Sequence, residues 1–210
     1  EEEVLASGVT APLEFTTSQL PSPPDLVPSG LLNRASVMAF NELWYRKAPG
    51  RRRDSLMSIE AFFHPLDMIA QWNRIYGRRG FLQWQCVVPD GAEDFIRSAV
   101  ERLSGSGMSS FLAVLKRMGD ENPGYLSFPL RGWTLALDIP ITPGLEPLLD
   151  ELDEQVVGVG GRIYLAKDSR VRPELVPEMY SRFDQWREVR AKLDPHGRFH
   201  SDMARRLGLL

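Results

Sequence analysis

Residues 81–88 read Phe81-Leu82-Gln83-Trp84-Gln85-Cys86-Val87-Val88 and are followed by Pro89-Asp90. Aromatic and β-branched residues dominate the run and a proline closes it, so it is expected to be a strand. Side chains alternate across a strand. Leu82, Trp84, Cys86 and Val88 therefore share one face, and Phe81, Gln83, Gln85 and Val87 share the other. Two glutamines on one face of an apolar strand are unusual in a core, because each amide needs hydrogen-bond partners. One face is expected to meet helices, the other something polar.

The pattern extends toward the C-terminus. Phe95, Ile96, Ala99, Val100 and Leu103 recur at helical spacing, and Ser104-Gly105-Ser106-Gly107 ends that helix. Ser109 to Arg117 is the second expected strand and Trp133 to Ile139 the third. Thr142-Pro143 offers an N-cap with proline at the first helical position. Leu145, Leu148, Leu149, Leu152 and Val156 then form a helical stripe, stopped by Gly160-Gly161. Arg162 to Ala166 is the fourth strand. The order β-α-β-β-α-β gives an α+β, ferredoxin-like antiparallel sheet with both helices on one face. C-terminal helices complete it: a long one from Pro173 to Leu193, with Met179, Phe183, Trp186 and Leu193 in one stripe, and a short one from Ser201.

Toward the N-terminus, residues 1–35 read as an extended lead-in interrupted by Pro21-Ser22-Pro23-Pro24. Ser36 to Lys47 carries Val37, Phe40, Leu43, Trp44 and Tyr45 and is expected to be a strand. Arg51, Arg52 and Arg53 follow in a polar loop, either simply solvated or in contact with an anionic substrate or headgroup.

Continued alternation places Gln83, Gln85, Lys116, Thr134 and Asp138 on the sheet face away from the helices. Amides, an ammonium and a hydroxyl together suit a polyhydroxylated or phosphorylated ligand; the plain alternative is a solvent-exposed face. Tyr164 and Lys167, three apart at a strand end, are placed to meet the same pocket, or else mark an ordinary strand exit. Cys86 faces the helices and reads as an inert core thiol. His64 has no partner histidine nearby. Gly158-Val159-Gly160-Gly161 follows a helix rather than opening one, so it is no dinucleotide fingerprint.

Composition narrows the class. The 210 residues are 43% hydrophobic and 25% charged, as in folded proteins. A net charge of -3 argues against a protein dedicated to nucleic acid. One cysteine excludes an internal disulfide framework, and three histidines leave any metal site short of ligands, so none is expected. No apolar run reaches the length of a transmembrane helix. The chain opens at Glu1 without a signal peptide and reads as a piece of a longer one.

ELWYRK (42–47), HPLDM (64–68), WNR-x-YG (72–77), FLQWQ (81–85), LSFP (126–129), LAKDSR (165–170) and SDMARRL (201–207) occur in an order that resembles one family. These are the decaprenylphosphoryl-β-D-ribose 2′-oxidases, flavoenzymes of the vanillyl-alcohol-oxidase type used in actinobacterial arabinan synthesis. The resemblance runs from about Pro12 to Leu210 and implies the C-terminal, substrate-domain portion of such an enzyme. It implies a substrate-binding cap over 36–161 and a segment over 162–210 that packs on an FAD-binding domain. That domain lies outside this chain and holds most of the FAD. The resemblance makes Lys167 the catalytic lysine near the flavin and Tyr164 its neighbour at cofactor and substrate. It puts Gln83, Gln85, Lys116, Thr134 and Ala136 in the substrate pocket, with Asp138 a buried acid behind it. Phe63, Leu66 and Trp72 match an apolar wall toward the lipid tail.

Three positions depart from the family pattern. Ala136 stands where many members carry a cysteine targeted by nitroaromatic covalent inhibitors, Thr134 where asparagine is usual, and Phe63 where tyrosine is common. The implied reaction oxidises the ribose 2′-hydroxyl of a polyprenyl-phosphate sugar, with an NAD-dependent keto-reductase partner completing a net epimerisation. A cytoplasmic or envelope-associated setting with peripheral membrane contact follows from the same resemblance. The alternatives are another FAD-linked sugar or aldonolactone oxidase, a non-catalytic ferredoxin-like binding module, and, least favoured by the acidic charge, an RNA-recognition module.

Overall fold

The computed structural model describes residues 20–24, 32–47, 50, 59–63, 67, 69–108 and 110–210. The chain divides into two compact units, Glu1–Gly80 and Phe81–Leu210. In the first unit, Leu20 forms a parallel bridge with Ile69 beside the proline run. The segment expected to be a strand at Ser36 to Lys47 is instead helix α1, Arg34–Lys47. Its start is capped by Asn33, whose Oδ1 accepts from the amides of Ala35 and Ser36 at 2.9 and 3.1 Å. Ser36 Oγ accepts from the Asn33 amide in return, a reciprocal cap. Pairs four apart then support the helix: Phe40 stacks on Trp44, and Arg46 bonds Glu42 at 2.6 Å. Local capping outweighs the β preference of the aromatics. Helix α2, Ile59–Phe63, and a 3₁₀ turn, Trp72–Tyr76, complete the described part of this unit. Arg51 to Arg53, His64 and Leu66 lie outside the described residues.

The second unit holds four strands: β1 Phe81–Pro89, β2 Ala113–Met118, β3 Gly132–Pro140 and β4 Arg162–Ile163. They form one antiparallel sheet in the order β2-β3-β1-β4. β1 and β3 pair from Phe81 opposite Pro140 to Pro89 opposite Gly132. At Gly132 φ is +153° and a Cβ would lie 2.0 Å from the Val88 carbonyl oxygen, so only glycine fits there.

Helices α3, Glu93–Gly105, and α4, Leu145–Gly158, cover one face. Phe95, Ile96, Ala99 and Leu103 of α3 and Leu145, Leu149, Leu152 and Val156 of α4 join Trp84, Cys86, Val88, Leu135, Leu137 and Ile139 in the core. Each such aliphatic side chain contributes roughly 1.5–3 kcal/mol by leaving water. Val100, expected on the buried stripe, is 42% exposed.

Four boundaries differ from the expectation. β2 begins at Ala113, not Ser109. Thr142 and Pro143 build a turn closed by the Leu145 amide onto Thr142 O at 3.2 Å, and α4 starts after Gly144 at φ 84°. β4 ends at Ile163, because Leu165–Lys167 turns into a 3₁₀ helix. The long helix from Pro173 is broken. A 3₁₀ turn (Pro173–Leu175) and α5 (Val176–Met179) precede extended Tyr180, and α6 (Phe183–Leu193) follows. Tyr180 leaves helical geometry to bury its ring and donate its hydroxyl to Ile163 O at 3.0 Å. Helix α7, Asp202–Arg206, closes the chain behind the Ser201 cap. Val171, Val176, Met179, Phe183 and Leu207 share the core of the sheet, so the segment after Arg162 is part of the same packed body.

Candidate active site

The polar face follows from register. Gln83 lies opposite Asp138, Gln85 opposite Ala136, and Lys116 of β2 opposite Thr134. Alternation thus brings Gln83, Gln85, Thr134, Ala136, Asp138 and Lys116 to the face away from α3 and α4, as the sequence predicts. That face is not simply solvated: Gln85, Thr134 and Asp138 are buried. Gln83 Nε2 donates to Asp138 Oδ1 at 2.8 Å, and Gln85 Nε2 donates to Thr134 Oγ1 at 3.0 Å. Burial pushes the Asp138 carboxyl above the usual carboxylate range, while the Gln83 bond and the Lys167 charge pull it back.

A cleft of about 750 Å³ opens at the Phe81 end of β1. Gln83 and Lys167 both line it, with Phe81, Ile141 and Pro143 on its apolar side. Lys167 is exposed at the end of the 3₁₀ turn and makes no ion pair with any described residue. Tyr164 is half-buried. Its amide donates to Gln85 O at 2.8 Å, and its ring lies 4.4 Å from that of Phe128. Lys116 is exposed on the edge strand.

The loop that carries Lys167 is held by a network that sequence reasoning does not anticipate. Asp153 of α4 is 1% exposed. It accepts from Trp84 Nε1 at 2.8 Å and from Arg170 Nη1 at 2.7 Å. Arg170 also pairs with Asp150. Asp168 caps the amides of Arg170 and Val171 at 3.1 and 2.9 Å and pairs with Arg206 at 2.7 Å. Burial raises the Asp153 carboxyl, and the Arg170 guanidinium is the first influence against that rise. The available signal is an acid four residues after Leu149, on the apolar stripe of α4. Lys167 is therefore the exposed member of a motif whose other charged residues are structural.

Phe63 and Trp72 belong to the first unit. Phe63 is 67% exposed with its ring edge-on to Phe62, and Trp72 meets Tyr76 edge-on.

Residues 142–207 match the D-arabinono-1,4-lactone oxidase family model. The chain is 47% identical over 199 residues to decaprenylphosphoryl-β-D-ribose oxidase of Mycolicibacterium smegmatis. The chain is homologous to a part of that oxidase. The match covers 95% of this chain and 43% of that relative. An uncharacterized protein in the mprA 5′ region of Streptomyces coelicolor is 45% identical over 202 residues, covering 91% of this chain and 54% of that protein. The chain thus spans about half the length of the curated relatives it matches. No helix among the described residues is long and apolar enough to cross a membrane.

Proposed function

We propose that this chain is the C-terminal, substrate-facing part of an FAD-linked oxidase that converts the 2′-hydroxyl of a polyprenylphosphoryl ribose to a ketone. The observation that carries the reading is the meeting of Gln83 and Lys167 in one cleft, within a chain 47% identical to an oxidase of that substrate. The order β2-β3-β1-β4 with both helices on one face supports a ferredoxin-like cap.

The chemistry of the donor set fits a flavin: an ammonium that lines the cleft and pairs with no described acid complements negative charge on a reduced ring, and Lys167 with Tyr164 would line that contact. When bound, FAD supplies the hydride acceptor. Gln83, Gln85 and Lys116 orient the sugar and its phosphate. Lys167 stabilises negative charge that develops beside it. The outer surface of residues 162–210 rests on the FAD-binding part. A keto-reductase using NAD consumes the product, and peripheral membrane contact brings the lipid substrate to the site.

In the full-length, flavin-loaded protein, Lys167→Ala and Gln85→Ala should each lose most turnover of polyprenylphosphoryl ribose while keeping the native circular dichroism spectrum. Near-normal turnover in both variants overturns the assignment. The family match over residues 142–207 favours a second reading, oxidation of an aldonolactone. Preference for arabinono-lactone over the prenylphosphoryl sugar in a substrate panel would select it.

A further inference from the structure

Asp138 is 3% exposed, and its Oδ2 has no hydrogen-bond partner among the described residues. Its carboxyl makes one side-chain bond, from Gln83 Nε2 to Oδ1. A buried acid with a single amide partner lowers stability relative to an apolar residue. Its same-face neighbour two residues back, Ala136, is apolar, so that face of β3 accepts an apolar side chain. The acid is therefore unexplained by packing, and its one contact leads to the cleft through Gln83.

A primary amide has one donating and one accepting end, whereas a carboxylate only accepts. Against Asp138, Gln83 must present its NH₂, which turns Oε1 away from the acid. Gln85 is turned in the same sense, with Nε2 on Thr134 Oγ1. A hydroxyl can donate or accept, however, so Thr134 tolerates either orientation and only Asp138 imposes one.

Building on the function proposed above, we propose that Asp138 is a positioning residue that locks Gln83 as a hydrogen-bond acceptor, so that the site selects a ligand hydroxyl at that point. Lys167 lines the same cleft and takes an anionic or electron-rich oxygen. The ligand class is then a molecule presenting a hydroxyl donor to Gln83 and a negative or polar oxygen to Lys167. A deoxy or keto group at the Gln83 position meets an acceptor with nothing to donate and is rejected.

The test uses the full-length, flavin-loaded protein, a short-chain polyprenylphosphoryl ribose and its monodeoxy analogues. Asp138→Ala frees the amide. It should raise KM about tenfold with kcat changed much less, and should erase the preference for the ribose over one deoxy analogue. Asp138→Asn keeps the size but, like Thr134, can donate or accept, so it should fold as the unmodified protein does and still lose much of the preference. A role confined to folding lowers stability without changing that preference. The ¹⁵N signals of the Gln83 side chain give a readout independent of turnover: a protected NH₂ in the unmodified protein, freely exchanging in Asp138→Ala. Unchanged preference together with an unchanged amide signal in Asp138→Ala overturns the proposal. So does a freely exchanging Gln83 NH₂ in the unmodified protein, a result that stands even if Asp138→Ala does not fold. If the unmodified enzyme ignores the ribose substrate, the proposed function fails while the amide signal still decides the role of Asp138.

Discussion

Arg170→Met is the substitution whose effect the structure specifies most closely. The guanidinium side chain is 9% exposed and lies 2.7 Å from the carboxylate of Asp153, itself 1% exposed. Methionine keeps much of the volume and removes the charge, leaving Asp153 buried with only the Trp84 indole as partner. Breaking a buried pair in this way costs about 3–5 kcal/mol. The second pair, to half-exposed Asp150, adds little to that. With a urea m-value of about 2 kcal/mol/M, the midpoint should fall by about 1.5–2.5 M. Trp84 reports the loss directly, because its indole is part of the network. Urea titration of the 210-residue chain followed by tryptophan fluorescence is the assay.

The sign of the pH dependence follows. Without Arg170 the chief influence holding the Asp153 carboxyl down is gone, and burial lifts it further above 3.8. The folded state then holds the proton more tightly than the unfolded state, so stability falls as pH rises from 3.8 toward the folded value. The deficit of Arg170→Met should therefore shrink in acid. Adding Asp153→Asn removes the stranded charge, keeps an acceptor for Trp84, and should recover most of the loss at neutral pH. A deficit under about 1 kcal/mol, or a double variant no more stable than the single one, refutes the reasoning.

Three further outcomes are expected. Gly132→Ala should yield little soluble protein on expression, since the new Cβ would collide with the Val88 carbonyl at a backbone angle that L-residues avoid. Burial pushes the Cys86 thiol up to about 12, so it should resist iodoacetamide at about pH 8 in the folded protein and react fully in urea, as mass spectrometry will register. Ala136→Cys puts a half-buried thiol opposite Gln85. In the full-length protein it should gain covalent labelling by a nitroaromatic inhibitor, read as a mass increase, and the unmodified protein should show none.

Much of the sheet was legible because the relevant physics is local. Alternation in Phe81–Val88 is a property of neighbouring residues, and it correctly separated Trp84 and Cys86 from Gln83 and Gln85 before any partner strand was known. The same logic brought Lys116, Thr134 and Asp138 to the polar face. Helix α1 forms against the β preference of its aromatics because the Asn33–Ser36 cap fixes its first turn, a signal that also lies in the sequence. The break at Tyr180 had no such signal. Val176 to Leu193 is periodic enough for one helix, and only the distant Ile163 carbonyl draws the tyrosine out of it.

The sequence by itself determined which side chains share each face, because backbone geometry makes that a question of counting by twos or by turns. The tertiary structure decided everything that depends on residues far apart in the chain. Lys167 reaches the cleft of Gln83 because Arg170 is staked to Asp153 on α4, 17 residues away. The Gln83 amide has a defined sense because Asp138 lies opposite it, 55 residues on. A pattern of alternating polarity can name the amide, but only the group it faces determines which end donates.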